Sequence, residues 1–422
     1  MCDDDGGVSA ILSSLDFRLR PADGATGVTE SVRNHTELEE LVISGDWFGD
    51  DDAEELKEAL AQKVSLKMLR LHGTALGARG FRCIIEALKI NAALMSLELV
   101  GSAVGDAGAA IISDFLATTS SLSYLALFSV SIGAQGSFHI AQALGINKSL
   151  RILNFSSNPI GDDGAAAFAD ALAENSTLKN FFVSECGISA LGSIHIARAL
   201  EANKSLQNIN ISGNAIGDAG AAALAEALAD HPSLKTIRAG SCGISALGSK
   251  AIAKALETNK SLKELFIGHN EIGHAGAADI VKSLAATTAL KTLQVVETTA
   301  TSEKGALAIA RAWGENLTLS LDLDLVHGVA SIIKAFVQEE ALRVRVFILR
   351  RRELLIAFGM AMLERQGSCA EDEVASSEST IEECAFQSMD GDIFKLIGDA
   401  YGHYPPRNAD PNCNPYMMFQ SS

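Results

Sequence analysis

The stretch Leu206-Gln207-Asn208-Ile209-Asn210-Ile211-Ser212-Gly213-Asn214-Ala215-Ile216-Gly217-Asp218-Ala219-Gly220, continued by Ala221 to Leu228, holds two periodicities. Ile209 and Ile211 alternate with Asn208, Asn210 and Ser212, which predicts a short strand with one face buried. Leu224 and Leu228 then stand four apart in an Ala-rich run, which predicts a helix. The same order recurs along the chain. Leucine stands at 38, 66, 94, 122, 150, 178, 206, 234, 262 and 290, a constant step of 28 residues. Neither a lone strand nor a lone helix can bury its apolar face, so successive units must stack into a parallel sheet backed by helices. Helices need about 10 Å of width against about 4.8 Å for strands. The stack therefore curves with its strands inside.

Asp218 precedes the helical run, as do Asp106 and Asp162, with Ser189 and Ser245 in other units. All five read as N-caps that satisfy free backbone N–H groups. At the other helix end, Asn91, Asn147, Asn175, Asn203 and Asn259 suit left-handed C-terminal caps.

These residues resemble the ribonuclease-inhibitor-like class of leucine-rich repeats, also found in the repeat regions of NOD-like receptors and in Ran GTPase-activating proteins. The resemblance covers residues 36–325. It implies an α/β solenoid, a curved horseshoe with parallel strands on the concave face and helices on the convex face. Two unit types alternate, one with Asn158, Asn214 and Asn270 and the other with Cys186 and Cys242. The resemblance implies that these side chains pair with backbone groups in the turn after each strand. It does not choose a function, because the class includes receptors, inhibitors and GTPase regulators.

Residues 1–35 are expected to form an N-terminal cap, with Trp47 and Phe48 belonging to it. A further strand is expected at Leu319, Leu321, Leu323 and Leu325, then a capping strand and helices within 326–365. Arg343, Arg345, Arg350, Arg351 and Arg352 serve there either as edge-blocking charges or as a basic docking patch. Residues 366–389 read as an acidic, Ser-rich linker. Residues 390–422 form a short helix and tail that either folds onto the cap or binds a partner.

With 34 basic and 52 acidic side chains, the net charge of −18 argues against nucleic acid and anionic membranes as partners. The start Met1-Cys2-Asp3-Asp4-Asp5 lacks the basic region of a secretory signal. The longest apolar runs flank Arg350-Arg351-Arg352 and fall short of a membrane helix. Seven cysteines without CxxC or zinc spacing fit reduced thiols in the cytoplasm.

No GxxxxGK[ST], HExxH or GxSxG pattern occurs. The recurrent Gly turns and Asn-Lys-Ser tripeptides follow from the repeat. His139 and His195 occupy equivalent positions two units apart, roughly 16–20 Å at helix spacing, too far to share a metal with bonds of about 2 Å. The expectation is no enzyme, no cofactor, no metal and no small-molecule substrate.

Function is instead sought on the inner face. Its central column runs Val42, Arg70, Glu98, Ala126, Asn154, Phe182, Asn210, Arg238, Phe266, Gln294 and Asp322. Tyr124, Phe128, Ile152 and Phe182 form an expected apolar patch, and Asn154, Asn210, Arg238 and Phe266 extend the expected contact surface. The leading expectation is a scaffold or receptor-type module that binds a protein on its concave face. A GTPase-activating or other enzyme-regulating protein and an inhibitor of a basic enzyme are the alternatives.

Overall fold

The computed structural model describes residues 13–18, 21–284 and 289–294. The chain divides into two units, Met1–Leu323 and Asp324–Ser422, and every described residue lies in the first. Asp322, the strand expected at Leu319–Leu325, the capping strand and helices expected within 326–365, the arginine cluster, the acidic linker and the tail lie outside the described residues.

The strands are β1 (Ser14–Phe17), β2 (Glu40–Ser44), β3 (Met68–His72), β4 (Ser96–Val100), β5 (Tyr124–Phe128) and β6 (Ile152–Asn154). They continue as β7 (Asn180–Phe182), β8 (Asn208–Asn210), β9 (Thr236–Arg238), β10 (Glu264–Phe266) and β11 (Thr292–Gln294). Between them run α1 (Gly24–Asn34), α2 (Asp50–Ala61), α3 (Ala78–Leu88), α4 (Gly105–Thr118) and α5 (Ala134–Ile146). The later helices are α6 (Gly161–Glu174), α7 (Ala190–Ala202), α8 (Gly217–Ala229), α9 (Ala246–Thr258) and α10 (Gly273–Leu284). The strands form one parallel sheet in chain order, β1 to β11.

The first repeat-like strand was not expected. Leu15 and Phe17 alternate with Asp16, and β1 pairs with β2 through Ser14↔Glu40 to Phe17↔Ile43. The N-terminal region thus supplies a strand and a helix of its own. Phe48 is fully buried in the main core and Trp47 packs edge-on against it, with ring centroids 5.7 Å apart. These aromatics share one core with Val28 and Val32 of the N-terminal region and with the repeats. The core runs continuously between sheet and helices. Phe155, Phe168 and Phe181 thicken it in the middle units, with centroids 5.0 and 5.3 Å apart.

Side-chain ladders join the units. Asn214 donates from Nδ2 to the carbonyls of Val183 (2.8 Å) and Ile211 (2.7 Å) and accepts the N–H of Cys186 (2.9 Å) and Ile188 (3.1 Å). Asn158 and Asn270 repeat this arrangement. The thiols of Cys186 and Cys242 donate to the Phe155 and Ile211 carbonyls at 3.5 and 3.4 Å and to the Ser184 and Gly240 carbonyls at 3.3 and 3.4 Å. The two turn types explain why that suffices. In the Asn units the N–H groups are used by backbone: Ile160 donates to Asn158 O and Gly161 to Cys186 O, at 2.8 and 3.1 Å. The backbone N–H groups of Asn158 and Asn214 are directed at the two sulfurs. Burial pushes both thiols up to about 11, so they remain protonated donors.

Two capping expectations are corrected. Ser189 and Ser245 do cap their own helices, accepting from Leu191 and Leu247 N–H at 3.2 Å. Asp106, Asp162 and Asp218 do not: each sits inside the first turn of its helix and caps the next one. Asp162 Oδ1 accepts Ser189 and Gly192 N–H at 2.8 and 2.9 Å, and Asp218 does the same for Ser245 and Gly248. Asp106 reaches Gly133 N–H at 2.7 Å. Stacking places the neighbouring helix start nearer to the carboxylate than its own.

At the other helix end, Asn147, Asn175, Asn203 and Asn259 are extended rather than left-handed. Their amides bridge units instead. Asn203 donates to Leu172 and Asn175 carbonyls at 2.7 and 2.8 Å and accepts Ser205 and Leu206 N–H at 2.8 Å. A cross-unit bond offers more than a left-handed cap, because it satisfies helix-end carbonyls and fixes the next strand's entry together.

His231 takes this rung between Asn203 and Asn259. Its Nδ1 accepts Ser233 and Leu234 N–H at 3.3 and 3.1 Å, but its buried Nε2 faces the Asn203 carbonyl without good hydrogen-bond geometry. Asn91 shows that asparagine fits the same backbone, since both residues donate N–H to the leucine carbonyl three positions earlier at 3.0 Å. His231→Asn is expected to raise stability by about 1 kcal/mol by removing an unsatisfied buried group. Burial, aided by Lys204, holds the His231 imidazole below its usual range. The unfolded chain therefore protonates first, and stability falls as pH drops below about 6.5 toward the folded value. Melting curves between neutral and mildly acidic pH should show a shallower decline for His231→Asn than for the parent. An equal decline would remove His231 as the cause.

Candidate functional site

The helix ends and turn ladders hold the strands in register, and that register builds the inner face. Val42, Arg70, Glu98, Ala126, Asn154, Phe182, Asn210, Arg238, Phe266 and Gln294 are successive partners across the sheet. The alternation thus places the whole described part of the column as expected.

The column changes chemistry along its length. At the N-terminal end, Arg70 bridges Glu40 (2.8 Å) and Glu98 (3.1 Å), while His72 lies 3.6 Å from Glu98. The bond to Glu98 raises the Arg70 pKa further, so this guanidinium is committed within the protein. Tyr124 begins the next strand but one; burial and then Glu98 push its phenol pKa up, keeping it a neutral hydroxyl.

Tyr124 and Ile152 are direct partners, both half-buried. Phe182 lies in the adjoining column beside Asn154 and Asn210, so it meets Ile152 only diagonally, at about 7–8 Å between backbones but within aromatic reach. Phe128 is at the opposite end of β5, beside Val100 and 37% exposed. Four residues separate it from Tyr124, about 13 Å along the strand, with the small, buried Ala126 between them. The four apolar residues therefore surround a shallow floor at Ala126 rather than form one row.

Beyond Phe182 the face turns to amides. Asn154 and Asn210 each accept the N–H two residues ahead at 3.1 Å, and Asn208 donates to Asn180. Arg238 then lies with its guanidinium carbon 3.8 Å over the Phe266 ring. That contact uses the ring face. The alternation alone could locate Arg238 and Phe266; their stacking depended on side-chain conformation.

Among the described residues, no cluster of three His, Cys, Asp or Glu side chains could hold a metal, and no helix is long and apolar enough to cross a membrane. A void of about 20 Å³ lies in the apolar core between α8, α9, β9 and β10, where Ala239 replaces the Ile211 and Ile267 of flanking units. Ligand sites begin at about 300 Å³, so this is an unfilled piece of core.

The family model described as "Leucine Rich repeat" matches residues 147–169, 202–225 and 258–281, each spanning the rung asparagine, the strand and the start of the helix. The chain carries leucine-rich repeats. Its unit of one strand and one α-helix is that of the ribonuclease-inhibitor-like class. No curated protein matches it in sequence. Among solved structures, "Leiomodin-1 Actin-Binding Site 2 (ABS2)" is 17% identical and covers 39% of this repeat protein and 96% of that chain, with a TM-score of 0.28. The tropomodulin C-terminal domain of Caenorhabditis elegans is 16% identical and covers 36% and 93%, with a TM-score of 0.32.

Proposed function

We propose that this repeat protein is a binding module, not an enzyme, that holds a protein partner on its concave face in the cytoplasm. The observation that carries the reading is the set of half-exposed apolar side chains on a rigid sheet. Tyr124, Phe128, Ile152 and Phe182 face away from the core, although the leucines between them already supply it. Exposed aromatics with few rotors make strong anchors, because little conformational entropy is lost when they are covered. Asn154, Asn210, Arg238 and Phe266 continue the contact surface with hydrogen-bonding and cationic groups. The buried, hydrogen-bonded thiols of Cys186 and Cys242 suit a reducing compartment.

Tyr124→Ala combined with Phe182→Ala is expected to weaken a verified partner's affinity on the order of tenfold to a hundredfold. Both side chains lie outside the core, so the melting temperature should scarcely change. Partners recovered by affinity purification and mass spectrometry provide the ligand, and titration calorimetry provides the affinity. Unaltered affinity in the double variant would overturn the assignment of this face.

A further inference from the structure

One residue before each strand begins, the ladder carries a charge pattern that the alternation does not explain. In the first units it is neutralised: Lys67 Nζ meets Glu39 Oε1 at 2.5 Å. Later the corresponding positions are Arg151, Lys179, Lys235, Lys263 and Lys291, interrupted only by Gln207. These are true ladder neighbours. Lys179 N–H donates to Arg151 O at 2.8 Å, Lys263 to Lys235 at 2.7 Å and Lys291 to Lys263 at 2.7 Å. Successive cations are thus rooted about 4.8 Å apart, where like charges repel.

Among the described residues none of these five has an ion-pair partner. Arg151 and Lys179 turn to the carbonyls of Thr177 and Ser205, both at 3.2 Å, and Lys235 to the Gln207 amide at 3.3 Å. Folding gains nothing from three lysines in register, particularly in a chain of net charge −18 with carboxylates to spare. Arg238, three residues beyond Lys235, adds another cation with no ion-pair partner among the described residues and rests on Phe266.

We propose that this cationic edge docks an acidic protein segment, whose carboxylates pair with Lys235, Lys263, Lys291 and Arg238 while its apolar side chains settle on the neighbouring concave face. The inference rests on the reading of that face as a protein-binding surface and adds the charge of its partner. A polyphosphate backbone fits less well. It carries no apolar side chains to cover the half-buried Tyr124, Ile152 and Phe182 of the neighbouring face, whereas a protein segment does.

The test uses the full chain and fluorescence anisotropy of labelled poly-L-glutamate, with single-stranded DNA of equal charge as the competing polyanion. Poly-L-glutamate should bind at low ionic strength, weaken as salt screens the contacts, and bind more tightly than the DNA. Lys235→Glu with Lys263→Glu should reduce its affinity on the order of tenfold or more while leaving the melting temperature nearly unchanged, because the 235/263 pair stays like-charged while the 263/291 pair becomes attractive. Lys235→Gln with Lys263→Gln provides the same comparison without new negative charge should the reversal impair folding. Tyr124→Ala with Phe182→Ala should keep poly-L-glutamate binding, which separates failure of the apolar anchor from failure of this edge. Absence of binding by the parent chain, DNA binding as tight as poly-L-glutamate, or unchanged affinity in both lysine variants would overturn the proposal.

Discussion

Asn214→Ala is expected to destabilise the solenoid by about 3–5 kcal/mol, since it strands several buried groups at about 1–3 kcal/mol each. The side chain is 2% exposed and makes bonds of 2.7–3.1 Å to two carbonyls and two N–H groups. Alanine replaces none of them. The loss spans two units, because Val183, Cys186 and Ile188 belong to the preceding turn while Ile211 belongs to its own. Equilibrium urea unfolding should show a large fall in midpoint. Asn214→Cys should cost less, since a thiol at this position can donate to carbonyls as Cys186 and Cys242 do, yet it leaves the two N–H groups unmet. A loss under about 1 kcal/mol in Asn214→Ala would mean that water replaces the amide.

The contrast between Asn214 and Asp162 shows what the sequence made legible. A constant step of 28 forces equivalent residues into register, so the strand column from Val42 to Gln294 could be read from alternation alone. The roles of Asn158, Asn214, Cys186 and Cys242 were also accessible, through the resemblance, because they depend on a turn that recurs. Asp162 was misassigned for a physical reason: a carboxylate at a helix start suits its own N–H groups and those of the adjacent helix equally well on chemical grounds. Only the stacking offset decides between them. Asn203 illustrates the same ambiguity at the other end, where the amide reaches back one unit instead of turning the chain left-handed. β1 escaped notice because Leu15 pairs with Leu41 across 26 residues, outside the period that revealed the others.

The candidate site was legible in composition but not in contact. Arg70 and Arg238 occupy equivalent column positions, yet Arg70 is consumed by two glutamates whereas Arg238 stacks on an aromatic ring. That difference arises from the identities of neighbours on both flanking strands. Likewise, the separation of Phe128 from Tyr124 follows from their four-residue spacing along one strand, while the approach of Phe182 to Ile152 requires the register between strands.

Gly192→Ala is expected to destabilise by about 2–3 kcal/mol, combining overpacking with damage to a helix cap, even though alanine has the better helix propensity by about 1 kcal/mol. A Cβ at Gly192 would lie 2.5 Å from Asp162 Oδ1, 2.8 Å from Ile188 Cγ2 and 3.0 Å from Ala165 Cβ. The first contact matters most, because Gly192 N–H donates to that same oxygen at 2.9 Å and Ser189 holds the other one at 2.5 Å. Burial acts to raise the Asp162 pKa, but hydrogen bonds from the Ser189 hydroxyl, Ser189 N–H and Gly192 N–H outweigh it and hold the carboxyl below its usual range. Its stabilising contribution is therefore present above about pH 3.9 and is lost as pH falls through the lower folded value. In Gly192→Ala, displacement of the carboxylate should weaken this part of the acid dependence as well as lower the midpoint at neutral pH. Gly145→Ala isolates the propensity effect: Gly145 lies within α5 with open space around the position of an added Cβ. That substitution should stabilise by up to about 1 kcal/mol. Opposite signs for the two glycines in chemical denaturation would establish that close packing onto Asp162, rather than backbone freedom, requires glycine at 192; a stabilising Gly192→Ala would refute it.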